Sequence, residues 1–421
     1  MHVNLHKKLR LTGVFESLSR DLRLLFISNL VGSFGDGLYA YLLPVYIQTA
    51  LHAAPVDVGA LYTVLILSSA LTPIPGGYLA ERYDWKKIMI FAWVLWLPIP
   101  LIISSATHWT MLFPAMLLYG CFISAPSTTA YIASTARKDR MNLTFTLISS
   151  AWWMGYIFSP SVGGYLATKI GMKVVFYMAF VFYMAAALVL LFIKSQRRGR
   201  ERQLRVEEFK VSVNMKTVLG WMTLFALIMF FNVLMQPFVP TFLKDVYRFD
   251  EFTIGVLGSF TFAGSAILGI LIGRLGDKFG NKVAVAACLA FTIFSLSAFQ
   301  FTSNFALLAP LFFLMGTNYT PWALMNATIS SLSPEILRGR WVAISQTASM
   351  LAAFFAPYLG GTLYDISPNY PFIATIAGFL TLLIALCVYS FLSHSGRDTI
   401  KQKSTMLWRL LRFNLIVNNF K

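Results

Sequence analysis

Long apolar runs alternate with short polar breaks along nearly the whole chain, and their length decides what they are. Twelve runs stand out, over about residues 22–48, 58–80, 88–106, 110–134, 142–167, 174–193, 217–243, 254–274, 283–302, 306–331, 341–363 and 371–393. Most approach or exceed the roughly 20 residues that a helix needs to cross about 30 Å of hydrocarbon. The pattern predicts an all-α membrane protein with twelve transmembrane helices, designated spans 1 to 12. One break is far longer and more charged than the rest: the stretch from Lys194 to Lys216 separates six spans from six. The predicted organisation is therefore an N-terminal arm (1–21), a six-helix bundle (22–193), a linker (194–216), a second six-helix bundle (217–393) and a C-terminal tail (394–421).

The two bundles are copies. Gly77 to Lys86 reads GYLAERYDWK, and 196 residues later Gly273 to Lys282 reads GRLGDKFGNK. The same offset carries Pro44 to Pro240, Gly59 to Gly255 and Gly120 to Gly316. An offset of 197 carries Pro160, Gly163 and Gly164 to Pro357, Gly360 and Gly361, so one inserted residue separates halves that otherwise align from end to end. A period this long fits two repeated bundles related by pseudo-symmetry rather than a solenoid.

Composition agrees, with 57% hydrophobic and only 12% charged residues. The net charge of +17 would suit a nucleic-acid binder, but its distribution points elsewhere. Of 34 Lys and Arg, only Lys169, Lys173, Lys244 and Arg248 fall on one side of the twelve spans. By the positive-inside rule the other side, with both termini, is cytoplasmic. The expected partners are thus anionic lipids and not DNA, and the expected location is the plasma membrane. Cys121, Cys288 and Cys387 lie within spans and read as small buried residues. The polar arm before Leu22 and the full length of the first run predict a retained first span rather than a cleaved signal. In the tail, Leu407, Leu410, Leu411 and Phe413 beside Arg409 and Arg412 suit either a basic amphipathic helix on the inner leaflet or a frayed end.

These loops resemble the signature of the major facilitator superfamily, in which Gly-x-Leu-x-Asp-Arg/Lys-x-Gly-Arg/Lys-Arg/Lys joins helices 2 and 3 and recurs between helices 8 and 9. The second copy is the closer, with Gly273, Leu275, Asp277, Lys278, Gly280 and Lys282 in place and Asn281 as the one departure. The first keeps Gly77, Leu79, Arg82 and Lys86, with Glu81 for the aspartate, Asp84 for the second glycine and Trp85 for a base. The likeness continues into Pro334, Glu335, Arg338, Gly339 and Arg340 before span 11 and Arg137 to Arg140 before span 5. The resemblance implies that Glu81, Arg82 and Lys86 face the start of span 11 near Arg340, and that Asp277, Lys278 and Lys282 face the start of span 5 near Arg140. Such residues would latch the cytoplasmic side when the protein opens outward. An acid set against the positive end of a helix from the other half is a contact made in one conformer only, and biases a two-state equilibrium by about 1 kcal/mol. On span 5, Gly155, Ser159, Pro160, Gly163 and Gly164 are similar to the family's antiporter motif, with Ser159 where the motif has glycine and Thr146 where an earlier glycine is expected. Ala356, Pro357, Gly360 and Gly361 repeat the pattern on span 11, so it also suits close helix packing and a kink in each half.

Of 17 acids, Asp36 alone lies deep in a span, about 21 Å along the first helix at 1.5 Å per residue. A carboxylate near the midplane costs about 2.5 to 3.5 kcal/mol to insert and usually faces a cavity. Asn29, Ser33, Asp36 and Tyr39 recur at helical spacing and form one polar face. The offset sets Asn232 opposite Asp36, with Gln236 one turn on, and span 10 adds Asn318, Trp322 and Asn326. These residues are the candidate substrate cavity, and Asp36 is the candidate proton or cation site. The alternative for Asp36 is a structural acid between Gly35 and Gly37 that helps helix 1 pack. The amides equally suit interhelical hydrogen bonding, and Trp152, Trp153 and Tyr156 suit packing.

Enzymatic chemistry finds no support: all five histidines lie in tails or loops, no metal-ligand spacing occurs, and no phosphate-binding loop motif is present. No cofactor is expected. The sequence predicts a monomeric secondary transporter of a small molecule, working by alternating access and coupled to protons, with efflux of an amphipathic compound as the first reading. The alternatives are a proton-coupled importer or facilitator of a metabolite such as a sugar or organic acid, and a transporter-like sensor that binds without moving its ligand.

Overall fold

The computed structural model describes residues 18–137, 140–196, 215–333 and 338–388. Glu335, the 1–17 arm, most of the linker (197–214) and the tail from 389, with its amphipathic stretch, lie outside the described residues.

Among the described residues, helical segments appear where the apolar runs predict them, and proline decides which are continuous. Pro44, Pro73, Pro98, Pro126, Pro237, Pro321 and Pro357 each sit at or within two residues of the start of a second helical piece. A proline lacks the N–H that would continue the helix and crowds the preceding turn. Span 1 thus runs Arg20–Ala40 and resumes as Leu43–Ala50, span 2 is Pro55–Leu71 then Pro73–Arg82, and span 3 is Trp85–Trp96 then Pro98–Ser105. Span 7 is Met215–Met235 then Phe238–Asp245, and span 11 is Arg338–Ala353 then Ala356–Ile366. Spans 6, 8 and 9 (Met172–Leu190, Glu251–Phe279, Asn281–Phe299) are unbroken. Span 5, Met141–Lys169, holds Pro160 inside a continuous helix.

Among the described residues nine spans are long and apolar enough to cross a membrane. Spans 4, 5 and 10 fall outside that set: the first and last are split into short helices, and span 5 is diluted by serine, threonine and glycine. All three contribute walls to interior cavities, where polar side chains are tolerated.

Charged ends bearing Arg82, Lys86, Arg140, Lys278 and Arg340 define a basic face; the other is called the far face. The halves meet across the far face in a contact that repeats the duplication. A Cβ on Gly59 would stand 2.3 Å from the Pro357 carbonyl oxygen, and one on Gly255 would stand 2.2 Å from that of Pro160. Gly164 faces the Glu251 carbonyl at 2.3 Å in the same sense, and Gly361 faces that of Pro55 at 2.5 Å. Each pair maps onto its mate by the offsets of 196 and 197. The helix starts follow suit: the Val56 N–H donates to Asp365 (3.3 Å) and the Phe252 N–H to the Thr168 hydroxyl (3.1 Å). The glycine-proline pattern of spans 5 and 11 is therefore an interlock that lets helix 5 touch helix 8 and helix 11 touch helix 2 at backbone distance.

Three further bonds tie this face together: Gln48 Nε2 donates to Asp245 (2.8 Å), and both the backbone N–H (3.2 Å) and the hydroxyl (2.7 Å) of Ser161 donate to the Ser259 hydroxyl. On the basic face, a Cβ on Gly77, Gly273 or Gly339 would meet no atom within 4 Å.

The two signature loops differ for a local reason. In the second half Gly280 has φ +92°, a conformation that L side chains rarely adopt. In the first, Asp84 instead caps span 3, accepting from the N–H groups of Lys86 (2.8 Å) and Lys87 (3.4 Å) and from the Ser195 hydroxyl.

Candidate functional site

Asp36 is 2% exposed and is held by tyrosines of its own half. The Tyr183 hydroxyl of span 6 donates to one carboxylate oxygen at 2.6 Å, and that of Tyr156, span 5, donates to the other. Behind them the Tyr39 and Tyr183 hydroxyls are 2.9 Å apart; with the Tyr183 proton committed to the acid, Tyr39 donates. Close packing makes this cage possible. A Cβ on Gly35 would stand 2.4 Å from Phe182 Cβ, and one on Gly37 would stand 1.9 Å from the Ser159 hydroxyl. The flanking glycines thus let spans 5 and 6 close on span 1, and the carboxylate they admit also lines a cavity.

That cavity lies between the halves. One lobe, about 300 Å³, is walled by Asp36, Tyr62, Tyr119 and Tyr156 from the first half and by Gln236, Phe262 and Tyr319 from the second. A second lobe of about 340 Å³ is walled by Asn232, Asn318, Trp322, Met325 and Met350. Leu65, Ile66, Phe122, Trp153, Gln236 and Tyr319 line both, so the two form one cleft. Among the described residues, no Lys or Arg lines either lobe. Across the cleft the Tyr156 ring meets Phe262 edge-on at 4.8 Å, and Phe262 meets Tyr319 at 5.3 Å. Gln236 Nε2 donates to the Tyr319 hydroxyl at 3.2 Å. Asn232 Nδ2 donates to the Asn318 carbonyl at 3.2 Å, and the side-chain oxygens of both asparagines are buried without a donor among the described residues.

Of the candidate residues, Asp36, Gln236, Asn232, Asn318 and Trp322 line the cleft. Four others do not. Ser33 donates to the Leu30 (3.1 Å) and Ala151 (3.4 Å) carbonyls, against span 5, and Tyr39 is fully buried behind the acid. Asn29 lines a separate chamber inside the first half. The stripe from Asn29 to Tyr39 is one helix face, but that face turns toward spans 5 and 6, and only Asp36 reaches the cleft from it. Asn326 lies a turn beyond Trp322 and accepts from Gln346 of span 11 at 2.9 Å. Tyr156, read from sequence as packing, donates to the acid, and Tyr183 and Tyr119 carry no signal beyond being aromatic within a span.

On the basic face, Glu81, Arg82, Arg140, Asp277, Lys278, Gly280, Arg338 and Arg340 are exposed, and Lys86 and Lys282 are half-buried. The Arg82 guanidinium covers the Tyr78 ring at 4.1 Å, Lys86 Nζ donates to the Leu191 carbonyl at 2.7 Å, and Lys278 lies 5.0 Å from the Phe279 ring. These contacts stay within one half.

Two helical bundles joined by backbone interlocks on one face and enclosing a cleft between them define a multi-pass membrane transporter. The chain belongs to the Major Facilitator Superfamily, whose family model matches residues 25–257 and 221–417. It is a secondary transporter of small molecules and not an enzyme. It is 27% identical over 378 residues to the "Multi-drug resistance efflux pump PmrA homolog" of Lactococcus lactis subsp. lactis (strain IL1403), covering 86% of this chain and 92% of that one. It is 23% identical over 382 residues to "Multidrug resistance protein 2" of Bacillus subtilis (strain 168), covering 86% and 93%. Among solved structures it is similar in fold to the nucleoside transporter NupG (TM-score 0.70, 14% identity, 88% of this chain and 99% of that one). It is equally similar to a bacterial homolog of the human lysosomal transporter Spinster (TM-score 0.69, 15% identity, 92% and 97%).

Proposed function

We propose that this protein exports an amphipathic small molecule in exchange for protons, by alternating access about the cleft at Asp36. One observation carries the reading: a carboxylate enclosed by hydroxyl donors borders a cleft with no basic side chain in its described lining. In hydrocarbon such a charge needs a counter-ion, and the cleft offers only a proton or a cationic cargo. If the two compete for one carboxylate, arrival of a proton from outside releases cargo outward, and cargo from inside releases the proton inward. The relative named as a multi-drug resistance efflux pump supports export over import. The aromatic lining suits an amphipathic cargo.

In this reading the basic face and both chain termini are cytoplasmic, the protein sits in the plasma membrane as a monomer, and the two six-helix halves, joined by the 194–216 linker, rock about the far-face interlock. The structure then represents the conformer open to the cytoplasm. Glu81, Arg82 and Lys86 with Arg338 and Arg340, and Asp277, Lys278 and Lys282 with Arg140, close the cytoplasmic side in the other conformer; Gly77, Gly273 and Gly280 shape the loops that carry them, and Glu335 belongs to the same gate.

The test is Asp36→Asn in proteoliposomes with a cationic dye as cargo. The variant should lose uptake driven by an imposed pH gradient, and downhill exchange of the dye should weaken with it, because its counter-charge in the cleft is gone. Gradient-driven transport at the wild-type rate would sink the coupling role.

A further inference from the structure

Inside the first half, beside the cleft, lies a chamber of about 340 Å³ bounded by spans 1, 3, 4 and 5 and by Leu190 of span 6. Its corner is built from three indoles. Trp93 and Trp152 are near-parallel (27°) with centroids 6.3 Å apart, and Trp96 stands edge-on to both, at 5.8 Å and 6.0 Å. The corner is fixed from behind. Trp96 donates its indole N–H to the Cys121 carbonyl at 3.2 Å, and Tyr183 packs on Trp93 (5.6 Å) and Trp96 (5.8 Å). Gly32 makes the seat for Trp93, because a Cβ there would overlap the indole at 1.9 Å.

The remaining wall is mostly apolar, with Leu25, Met89, Ile132, Phe145 and Ile148 among its residues, and its polar groups are uncharged. Asn29 on span 1, Thr128 on span 4 and Ser149 on span 5 present an amide and two hydroxyls. Among the described residues, these three side chains have no hydrogen-bond partner in the protein. Among the described residues, too, no acid or base lines the chamber. An acyl chain would satisfy the indoles and leave the amide and hydroxyls unmet, and a cation would find no counter-charge. A flat, neutral ring carrying a donor beside an acceptor satisfies both: its faces lie on indole and its edge pairs with a carboxamide, which offers the same two groups. The volume matches a bicyclic or tricyclic ring.

We infer that this chamber is a binding site for neutral planar heteroaromatic compounds, or for that portion of a larger cargo, with Asn29 reading a lactam-like edge. It adjoins the acid-bearing lobe, with Trp96, Phe122 and Trp152 lining both, and differs from it in carrying Asn29, Thr128 and Ser149 in place of the carboxylate.

The probe is 2-quinolinone, a neutral bicyclic lactam, with N-methyl-2-quinolinone as the same shape lacking the donor. Equilibrium binding to the purified full-length protein in nanodiscs needs no pH gradient, so the outcome is independent of coupling at Asp36. The wild type should bind the lactam at least tenfold more tightly than the N-methyl compound. Asn29→Leu should erase that preference, weakening the lactam tenfold or more and leaving the N-methyl compound unchanged. Thr128→Val, a smaller alteration, provides a second variant, and thermal melting checks that each is folded. No saturable binding of the lactam to the wild type, equal affinity for the two probes, or an Asn29→Leu variant that binds the lactam as the wild type does would each overturn the proposal. So would displacement of the lactam by Asn232→Leu in the cleft with Asn29→Leu without effect.

Discussion

Replacing Gly59 and Gly255 together by alanine should push the protein out of its present conformer. Each alanine Cβ would meet a backbone carbonyl of the other half, at 2.3 Å and 2.2 Å, where ordinary contact begins at 3.4 Å; the shortfalls are 1.1 Å and 1.2 Å. A carbonyl in a helix cannot swing aside as a side-chain tip can, so the helices themselves must part. Overpacking of this kind costs about 1–3 kcal/mol per site, and the two sites belong to separate helix pairs, so about 2–6 kcal/mol is expected for both. The gain in helix propensity from glycine to alanine, about 1 kcal/mol each, applies to both conformers and cancels between them. Even the lower figure moves a two-state equilibrium about 30-fold. The assay is distance measurement by paired spin labels in a background with the three cysteines replaced by serine. One pair sits on the far face at Thr107 and Ser303, the other on the basic face at Tyr83 and Phe279. The far-face distance should lengthen and the basic-face distance shorten together. Gly77→Ala with Gly273→Ala, where no atom lies within 4 Å of the added Cβ, should change neither. Wild-type distances at both pairs in a folded Gly59→Ala, Gly255→Ala protein would refute the interlock as the element that sets the equilibrium.

The tyrosine cage predicts an order of thermal stability in detergent. Tyr183→Phe removes a 2.6 Å donor from a carboxylate and should cost about 1.5–3 kcal/mol, whereas Tyr39→Phe removes only a hydroxyl pair and should cost about 0.5–1.5 kcal/mol; the reverse order of melting temperatures would contradict the hydrogen-bond assignment. Asp245→Ala cuts the Gln48 bond between the halves and also strands the Tyr364 hydroxyl, which donates to the same carboxylate at 3.0 Å. It should lengthen the far-face spin-label distance without a second change on span 5. Asp250, outside the membrane, caps span 8, and its hydrogen bonds to Thr253 hold its carboxyl below the usual range. A lowered folded-state value means that this contribution is present above the unfolded value of about 3.9 and is lost as pH falls through the folded one. Asp250→Ala should therefore cost about 1 kcal/mol at pH 7, and the gap to wild type should narrow as the pH drops below about 4.

The parts of this architecture that follow from spacing alone were legible in the sequence. A proline or glycine that matters for backbone approach keeps its place in both copies, so Gly59 with Gly255 and Gly164 with Gly361 could be paired before either had a contact. The glycines marked close packing, and close packing is what they perform. Direction around a helix axis is different. The stripe of Asn29, Ser33, Asp36 and Tyr39 fixes which residues share a face but not which neighbour that face meets. In a bundle where every neighbour is apolar, hydropathy does not choose among them. For the same reason Tyr183 could not be distinguished from other aromatics of span 6: its hydroxyl matters only because Gly35 and Gly37 bring that span close to Asp36. Asp84 shows a third limit. Judged against a loop pattern it is a departure, yet as a helix cap it replaces the glycine turn by another route.

The hydroxyls that donate to Asp36 in this structure, those of Tyr156 and Tyr183, belong to its own half, so in the proposed rocking cycle the acid and these donors travel together while Phe262 on the facing half shifts against them. In the proposed cycle the acid's own neighbours are then identical at both ends of the stroke, and tightness of exchange is set by the seal that the opposing ring makes. Slippage, the passage of protons without cargo, is accordingly a property of residue 262 and its fit against Tyr156. A smaller side chain there would leave a pump that still binds and still rocks, but leaks.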